Sequence, residues 1–342
     1  MADASPPKWH LAHTTWFFET FVLKPHQPNY TPADPRWSYL FNSYYDTVGP
    51  RQPRPQRGLL SRPPMADVAA WRQRVTQALE TLLVHHADGP WRELVELGLQ
   101  HEQQHQELLL MDLLDGFSRQ PLEPAYRDDW CEQDEDLPDS GSTCADDLHG
   151  PWLHCRGGLV EVGHQGDGFH FDNEGPRHRT WLDPFAIADR LVSNGAYRRF
   201  IDDGGYRRPD LWMSEGWAEC QRRGWQAPRY WRRDRDGEGP WRWEFTLGSR
   251  RPLEDHRPVR HLSWFEADAF ARWAGARLPN EAEWEFARVQ HGENLLQSHG
   301  QLWQWTASPY RPYPGFHPAA GAVGEYNGNC LLYTSPSPRD CQ

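Results

Sequence analysis

The chain has 342 residues, enough for two domains that each bury their own core. Its net charge of -12 argues against a binding surface for nucleic acid or for an anionic membrane, and no apolar run approaches the ~18 residues of a membrane span. The six cysteines are dispersed without a CxxC pair, and the first residues lack a signal-peptide pattern, so we expect a reduced, cytoplasmic protein.

The first predicted helix begins at the proline pair at residues 6–7, because proline is favoured in a first helical turn. Apolar residues follow at helical spacing from Trp9 to Phe17, and His13 lies in the middle of that face. His10 falls on a different stripe. A single histidine on an apolar face is usually a core residue bonded to a carbonyl, so His13 matters only if a second helix supplies further histidines.

The segment that follows, residues 25–64, is rich in proline and aromatic residues. We predict a long ordered loop there, and such loops tend to carry function. A further helix is predicted over residues 67–86 from the spacing of its apolar positions.

The next predicted helix carries His101 and His105. Because positions four apart lie on one face of a helix, we expect both imidazoles beside Leu94 and Leu108 on a buried stripe. Two neutral imidazoles on an inward face are costly to leave unpaired, so a divalent metal is the favoured interpretation. His13 is the best candidate for a third ligand. The elements together predict a small helical bundle with metal ligands on two facing helices.

The same segment matches H-E-x-x-H, the zinc-peptidase signature in which Glu102 would be the general base. A zinc hydrolase that uses His101 and His105 as ligands is therefore an alternative. The extension that often supplies a third zinc ligand does not follow His105. A non-enzymatic bundle fused to a ligand-binding module is a third interpretation.

The composition changes twice in the second half of the chain. Residues 127–150 are acidic and poor in apolar residues, which predicts an inter-domain linker. Beyond them, alternating patterns predict short strands at residues 157–163, 177–182 and 185–188. Helices are predicted after three cap residues, Ser193, Ser263 and Asn280, and the last two begin capping boxes. We expect an irregular α+β domain with many loops.

Eight motifs, in the expected order, resemble the EgtB family of sulfoxide synthases in ergothioneine biosynthesis. Four lie in the first part: WHLAH at residues 9–13, FNSYY at 41–45, GLLSRP at 58–63 and HEQQH at 101–105. Four lie in the second part: GGLVEVG at 157–163, FDNEGPRH at 171–178, ARLPNEAEW at 276–284 and WQWTAS at 303–308.

The resemblance covers roughly residues 5–328 and implies an α + (α+β) fold. It divides the chain into a DinB-like helical metal-binding domain at residues 1–126, the acidic linker at 127–150, and a domain at 151–328. That last domain is similar to the formylglycine-generating enzyme, which has an irregular, C-type-lectin-like fold.

The resemblance implies iron(II) held by His13, His101 and His105. Three neutral imidazoles leave open positions around the ion for substrates. Such enzymes use O2 to join the sulfur of cysteine or γ-glutamylcysteine to the imidazole of hercynine, so these small molecules are the implied partners. A selenoneine synthase of the same architecture is the alternative within the family.

Further roles come from matching positions of the family motifs. Tyr44 and Tyr45 match a tyrosine pair that supplies a proton or an electron near the iron. Arg54 and Arg57, three residues apart, are expected to hold the carboxylate of the sulfur donor between planar guanidinium groups, and Gln104 is expected to bond the substrate imidazole or to orient a ligand histidine. Without the resemblance, the tyrosines would be read as loop packing and the arginines as surface residues.

Two features depart from the related families. The formylglycine-generating enzymes use a cysteine pair to bind copper, and no equivalent pair is found here, so that activity is not implied. Residues 329–342 match no part of the family pattern. We therefore expect a C-terminally truncated second domain followed by a tail of non-family sequence.

Overall fold

The structure is a computed structural model that describes residues 4–85, 89–127, 129–130, 150–234 and 237–328. The expected linker lies largely outside these ranges, and the expected tail at residues 329–342 lies wholly outside them. Within the described ranges, no helix combines the length and apolar character needed to cross a bilayer.

The first part of the chain is helical, as predicted. Its helices are α1 (Pro7–Phe18), α2 (Lys24–His26), α3 (Trp37–Phe41), α4 (Met65–His85) and α5 (Arg92–Ser118). A π-helical turn, Glu19–Leu23, joins α1 to α2. The segment predicted as a loop also contains α3 and a 3-10 turn, Arg54–Leu59. The short helix α3 forms because the rings of Trp37 and Phe41 pack on Trp71, at centroid distances of 5.0 and 5.8 Å.

Helix α1 lies at the centre of this part and packs against α3, α4 and α5. Because neighbours surround it, nearly every residue from Trp9 to Phe18 is buried. Because His10 and His13 lie on different stripes of α1, the sequence predicts that His13 is buried and that His10 lies outside the buried face. His10 is in fact 5% exposed and belongs to the interior.

Helix α5 is less buried than predicted. Its fully buried residues are Gly98, His101, His105 and Leu114. Leu108 was predicted on the buried stripe, but it is 40% exposed, so that part of the prediction is wrong. The length of α1 does not explain this exposure, because His10 of α1 contacts Asp112, which lies beyond Leu108 on α5. The helical spacing predicts burial only where a neighbour covers the full width of the stripe, and the contact with α1 leaves the Leu108 side chain at its edge.

The two helices approach closely at Gly98. A Cβ atom placed on Gly98 would lie 2.4 Å from Cε1 of Phe18 and 3.1 Å from Cε1 of Phe17. Both rings are buried, so neither can move aside freely. The absence of a side chain at residue 98 therefore sets how near the histidines of α5 come to α1.

We expect Gly98→Ala to destabilise the protein, although alanine is the better helix former by about 1 kcal/mol. Forcing a methyl group against Phe18 should cost about 1–3 kcal/mol. Thermal unfolding followed by circular dichroism measures the change. Leu99→Ala, one residue along on the exposed side of α5, is the matched control. A Gly98→Ala variant as stable as the parent would show that the α1–α5 contact is loose.

The second part is an irregular α+β region, as predicted. Its strands are β1 (Trp152–Cys155), β2 (Gly158–Val162), β3 (His178–Leu182), β4 (Phe185–Ala188), β5 (Trp231–Arg232), β6 (Trp243–Thr246) and β7 (Ser249–Pro252). Its helices are α6 (Asn194–Asp202), α7 (Ser214–Arg223), α8 (Trp264–Trp273) and α9 (Glu281–His291).

The strands form small antiparallel sheets: β1 with β4, β2 with β3, and β5–β6–β7. In the first two, Cys155 lies opposite Phe185 and Gly158 opposite Leu182. The three predicted helix caps are confirmed, because Ser193, Ser263 and Asn280 accept backbone N–H bonds at 3.2, 3.3 and 2.8 Å. The last two form the predicted capping boxes.

Helix α5 also joins the two parts. Its C-terminal half packs Leu114 and Phe117 against a cluster that includes Phe245. Beyond its end, the Glu123 carboxylate accepts bonds from Arg250 Nε and Nη2 at 2.7 and 2.9 Å. The C-terminal end of the helix that carries the two histidines is therefore anchored to the second part of the chain.

The last described segment, residues 322–328, returns to the helical core. Tyr326 is buried in that core, and Ala322 and Val323 pack against the same core. The region near the histidines is consequently assembled from both ends of the described chain.

Candidate metal centre

Three imidazoles converge between α1 and α5. The ring centroids of His13, His101 and His105 are 4.6 to 4.9 Å apart. One nitrogen from each ring lies within 4.8 Å of the others, and the residues are 0%, 2% and 8% exposed. The structure thus brings together the three histidines that the sequence analysis singled out. Metal binding by them stays a prediction.

The hydrogen bonding of two of these rings fits a bound cation. His13 Nδ1 lies 2.6 Å from the Phe41 carbonyl oxygen, so it carries the hydrogen and Nε2 is left with a lone pair. His13 Nε2 and both nitrogens of His101 are buried and have no hydrogen-bond partner in the part of the chain that the structure describes. Each such atom costs about 1–3 kcal/mol if nothing satisfies it. A divalent metal at this point would take up the lone pairs.

The protonation state of the cluster also suits metal binding. Burial lowers the pKa of His101 to about 3. Burial, with the charges of His101, His10 and Arg57, lowers the pKa of His105 to about 2. The pKa of His13 is likewise well below its usual value, chiefly because the ring is buried. All three imidazoles are therefore neutral at pH 7, the form that binds metals. An all-imidazole set suits iron, zinc or copper.

Glu102, between the two histidines of α5, does not belong to the cluster. Its carboxylate accepts a bond of 2.8 Å from Arg72 on α4, and Arg72 also donates to Thr14. The zinc-hydrolase alternative needs Glu102 beside a metal-bound water. The pairing of Glu102 with α4 removes the main support for that alternative.

Aromatic rings line up with His13 along α1. Trp9, one turn earlier, stacks on His13 at 4.7 Å and 10°. Trp16, one turn later, lies at 5.6 Å and 16°. The guanidinium of Arg57 lies 3.5 Å from the Trp9 ring centroid and extends the row. This ring stack, from Arg57 to Trp16, forms one wall of the candidate centre.

Arg54 and Arg57 occupy different environments on the same 3-10 turn. Arg54 is exposed, whereas Arg57 is buried and donates to Ser5 and Ser43 at 3.2 and 3.0 Å. Burial, helped by Arg54 and Arg51, lowers the pKa of Arg57 to about 9. Arg57 Nε is buried, and no described residue accepts a hydrogen bond from it. A bound anion would balance the buried positive charge of Arg57 and accept the hydrogen bond that Nε can donate.

Tyr44 and Tyr45 stack on each other at 4.6 Å. The Tyr45 ring is fully buried beside Trp16 and Phe21, at 5.5 and 4.9 Å. Burial and the neighbouring Tyr44 raise the pKa of Tyr45 well above its usual value, so its phenol stays protonated. The pair lies next to the wall of the centre that contains Trp16.

Sequence reasoning missed Tyr326. Its ring lies 5.5 Å from the His101 ring and 6.3 Å from Tyr44, and its hydroxyl donates to Gln104 Oε1. Phe171 stacks behind it at 5.9 Å. Gln104, an exposed residue of α5, is thus bonded to a ring that lies beside His101, and its role stays a prediction. Tyr326 is in a segment without periodicity, so no local pattern could have identified it.

A large open cavity of about 2480 Å³ lies elsewhere, mainly within the second part. Aromatic residues such as Tyr230, Trp264 and Trp303 line it, together with Glu107 of α5. None of the three clustered histidines lines this cavity. The large cavity and the histidine cluster are therefore separate features of the structure.

Comparison with known proteins agrees with the two-part organisation. Residues 152–294 match the sulfatase-modifying factor enzyme 1-like domain family. The chain is 30% identical to the hercynine oxygenase of Mycolicibacterium smegmatis, over 92% of this chain and 78% of that protein. It is 31% identical to the hercynine oxygenase of Mycolicibacterium thermoresistibile, over 92% of this chain and 74% of that protein. The formylglycine-generating enzyme of Streptomyces coelicolor is 32% identical but matches only 36% of this chain.

Proposed function

The chain belongs to the hercynine oxygenase (EgtB) family, and from this premise we propose that it is an iron(II)-dependent sulfoxide synthase of ergothioneine biosynthesis. The proposed substrates are hercynine, O2 and either cysteine or γ-glutamylcysteine. An imidazole C–H bond and the thiol S–H bond break, and a C–S bond and an S–O bond form. The two substrates together supply four electrons, and the second oxygen atom leaves as water.

The observation that carries the proposal is the buried cluster of His13, His101 and His105, in which His13 Nε2 and both nitrogens of His101 find no hydrogen-bond partner among the described residues. Bound iron(II) would supply the redox chemistry that reduces O2. Three protein ligands leave positions for substrate groups. The protein contributes neutral ligands in a site from which bulk water is largely excluded, because burial keeps the imidazoles uncharged.

Arg57 is proposed to hold the carboxylate of the thiol substrate. Its buried Nε–H finds no partner within the described ranges, and Arg54 begins the same turn at the surface. A planar guanidinium can bind a carboxylate through two parallel bonds. The carboxylate would also compensate a buried positive charge, so binding gains from both effects.

The tyrosine pair and Gln104 are proposed to act on the reacting groups. Tyr45 keeps its hydrogen at neutral pH and can therefore donate it. Gln104 accepts a bond from Tyr326 through Oε1, which leaves its amide hydrogens for an acceptor nitrogen of the hercynine imidazole. Tyr326 would thus orient the amide that meets this substrate.

The proposal predicts that anaerobically iron-loaded protein, given O2, hercynine and each thiol separately, yields a sulfoxide adduct of hercynine. Mass spectrometry of the products and an oxygen electrode provide the measurements, and O2 uptake should need both organic substrates. Glu102→Gln should leave turnover within about twofold of the parent. Glu102 has no role in the proposed reaction, and its partly buried ion pair with Arg72 contributes little to stability. Thiol oxidation without incorporation of hercynine, or loss of activity in Glu102→Gln, would contradict the proposal.

A further inference from the structure

His105 contacts a second buried histidine that belongs to no proposed ligand set. His10 Nδ1 lies 2.9 Å from His105 Nδ1, and the two ring centroids are 5.2 Å apart. On its other side, His10 Nε2 lies 3.2 Å from Asp112 Oδ2. That oxygen also accepts the backbone N–H of Ser5 at 2.9 Å. The four residues Ser5, Asp112, His10 and His105 therefore form a continuous chain of polar contacts.

The hydrogens in this chain can be placed from one end. A carboxylate only accepts, so His10 Nε2 must carry a hydrogen towards Asp112. A neutral imidazole with its hydrogen on Nε2 has a lone pair on Nδ1. The 2.9 Å contact between the two Nδ1 atoms then needs a hydrogen on His105 Nδ1. His105 is left with its lone pair on Nε2.

We infer that His10 and Asp112 are positioning residues, which hold His105 in the tautomer and orientation that present Nε2 to the metal. This rests on the proposed metal site. His13 reaches the same tautomer by a different route, through the Phe41 carbonyl. Neither nitrogen of His101 has a hydrogen-bond partner among the residues that the structure describes. The three ligands are thus held in three different ways.

The relay adds more than orientation. A carboxylate at its far end draws hydrogens towards itself and makes each imidazole a stronger electron donor at its opposite nitrogen. Asp112 lies seven residues, about two turns, beyond His105 on the same helix, and His10 comes from α1. His10 therefore bridges two points of α5 from the neighbouring helix. His105 is the ligand whose donor strength this arrangement sets.

The test is an anaerobic titration of the metal-free chain with Co(II), monitored through the visible absorption of the bound ion. The titration is then repeated with Fe(II). His10→Leu fills the space but cannot relay a hydrogen bond. We expect it to weaken metal binding about 10–100-fold and to change the Co(II) spectrum. His10→Gln keeps an acceptor for His105 and a donor for Asp112, so it should bind within a few-fold of the parent. Asp112→Asn keeps the geometry without the charge and should fall between them.

The melting temperature of each metal-free variant is measured as a control, to show that the variant is folded. Parent-like affinity and spectrum in a folded His10→Leu variant would overturn the inference. Equal weakening in His10→Leu and His10→Gln would also overturn it, because the effect would then be steric. The His101→Ala variant distinguishes a failure of the proposed metal site from a failure of the proposed relay. If it binds metal like the parent, the metal site itself is wrong; if it alone loses metal, only the relay is wrong.

Discussion

His13→Ala should abolish stoichiometric iron binding and reduce thiol-dependent O2 uptake to background. The substitution would remove the ligand proposed on α1 and leave only His101 and His105, both on α5, from the described cluster. Loss of a direct ligand should weaken binding by more than about 100-fold, the upper range for losing a group that merely supports one. Anaerobic iron analysis after gel filtration, together with an oxygen electrode, measures both effects.

The control for His13→Ala is His85→Ala, at the exposed end of α4, which should keep iron and activity. His13 also packs in the core, so the metal-free melting temperature must show that the variant is folded. Stoichiometric iron in both His13→Ala and His105→Ala would contradict the metal site.

The metal-free protein should lose stability steeply as the pH falls below about 6.5. In the folded chain the pKa of His101 is about 3, against 6.5 for the free side chain. Between these values the unfolded chain binds a proton that the folded chain does not, so acid favours unfolding. The loss is about 1.4 kcal/mol per pH unit for each such histidine, and His105, with a pKa of about 2, adds to it.

Urea unfolding of the chelator-treated protein at pH 7 and at pH 5 measures this dependence. His101→Leu removes one titrating group while filling the space, so its stability should fall less over the same interval. Parallel pH profiles in the parent and the variant would show that His101 is accessible to protons in the folded state.

Local patterns in the sequence identified the elements whose structure depends on near neighbours. The four-residue spacing of His101 and His105 is sufficient to put both on one face of a helix. Ser263 and Asn280 begin their helices through bonds to backbone groups three residues away, which is why they could be read directly. His13 was identified because apolar residues flank it at helical intervals.

Other features depend on contacts between distant segments, and no pattern in the sequence reports these. Tyr326 meets Gln104 across 222 residues. Arg57 looks like a surface charge in the sequence, yet it lies on the Trp9 ring inside the protein. His10 was assigned to an outer stripe because periodicity assumes one buried face, and α1 is surrounded.

The row of parallel rings along α1 bears on how an ion would be taken up. The imidazole of His13 cannot turn without displacing Trp9 or Trp16, both of which are buried. Its rotational freedom is therefore lost when the chain folds, before any ion arrives. Immobilising a flexible side chain on binding usually costs about 0.5–1.5 kcal/mol, and here that cost is met in advance. Because His13 Nε2 is fixed in this way, its distances to the nitrogen atoms of His101 and His105 vary little. The site should therefore favour ions whose preferred metal–nitrogen bond lengths fit those distances.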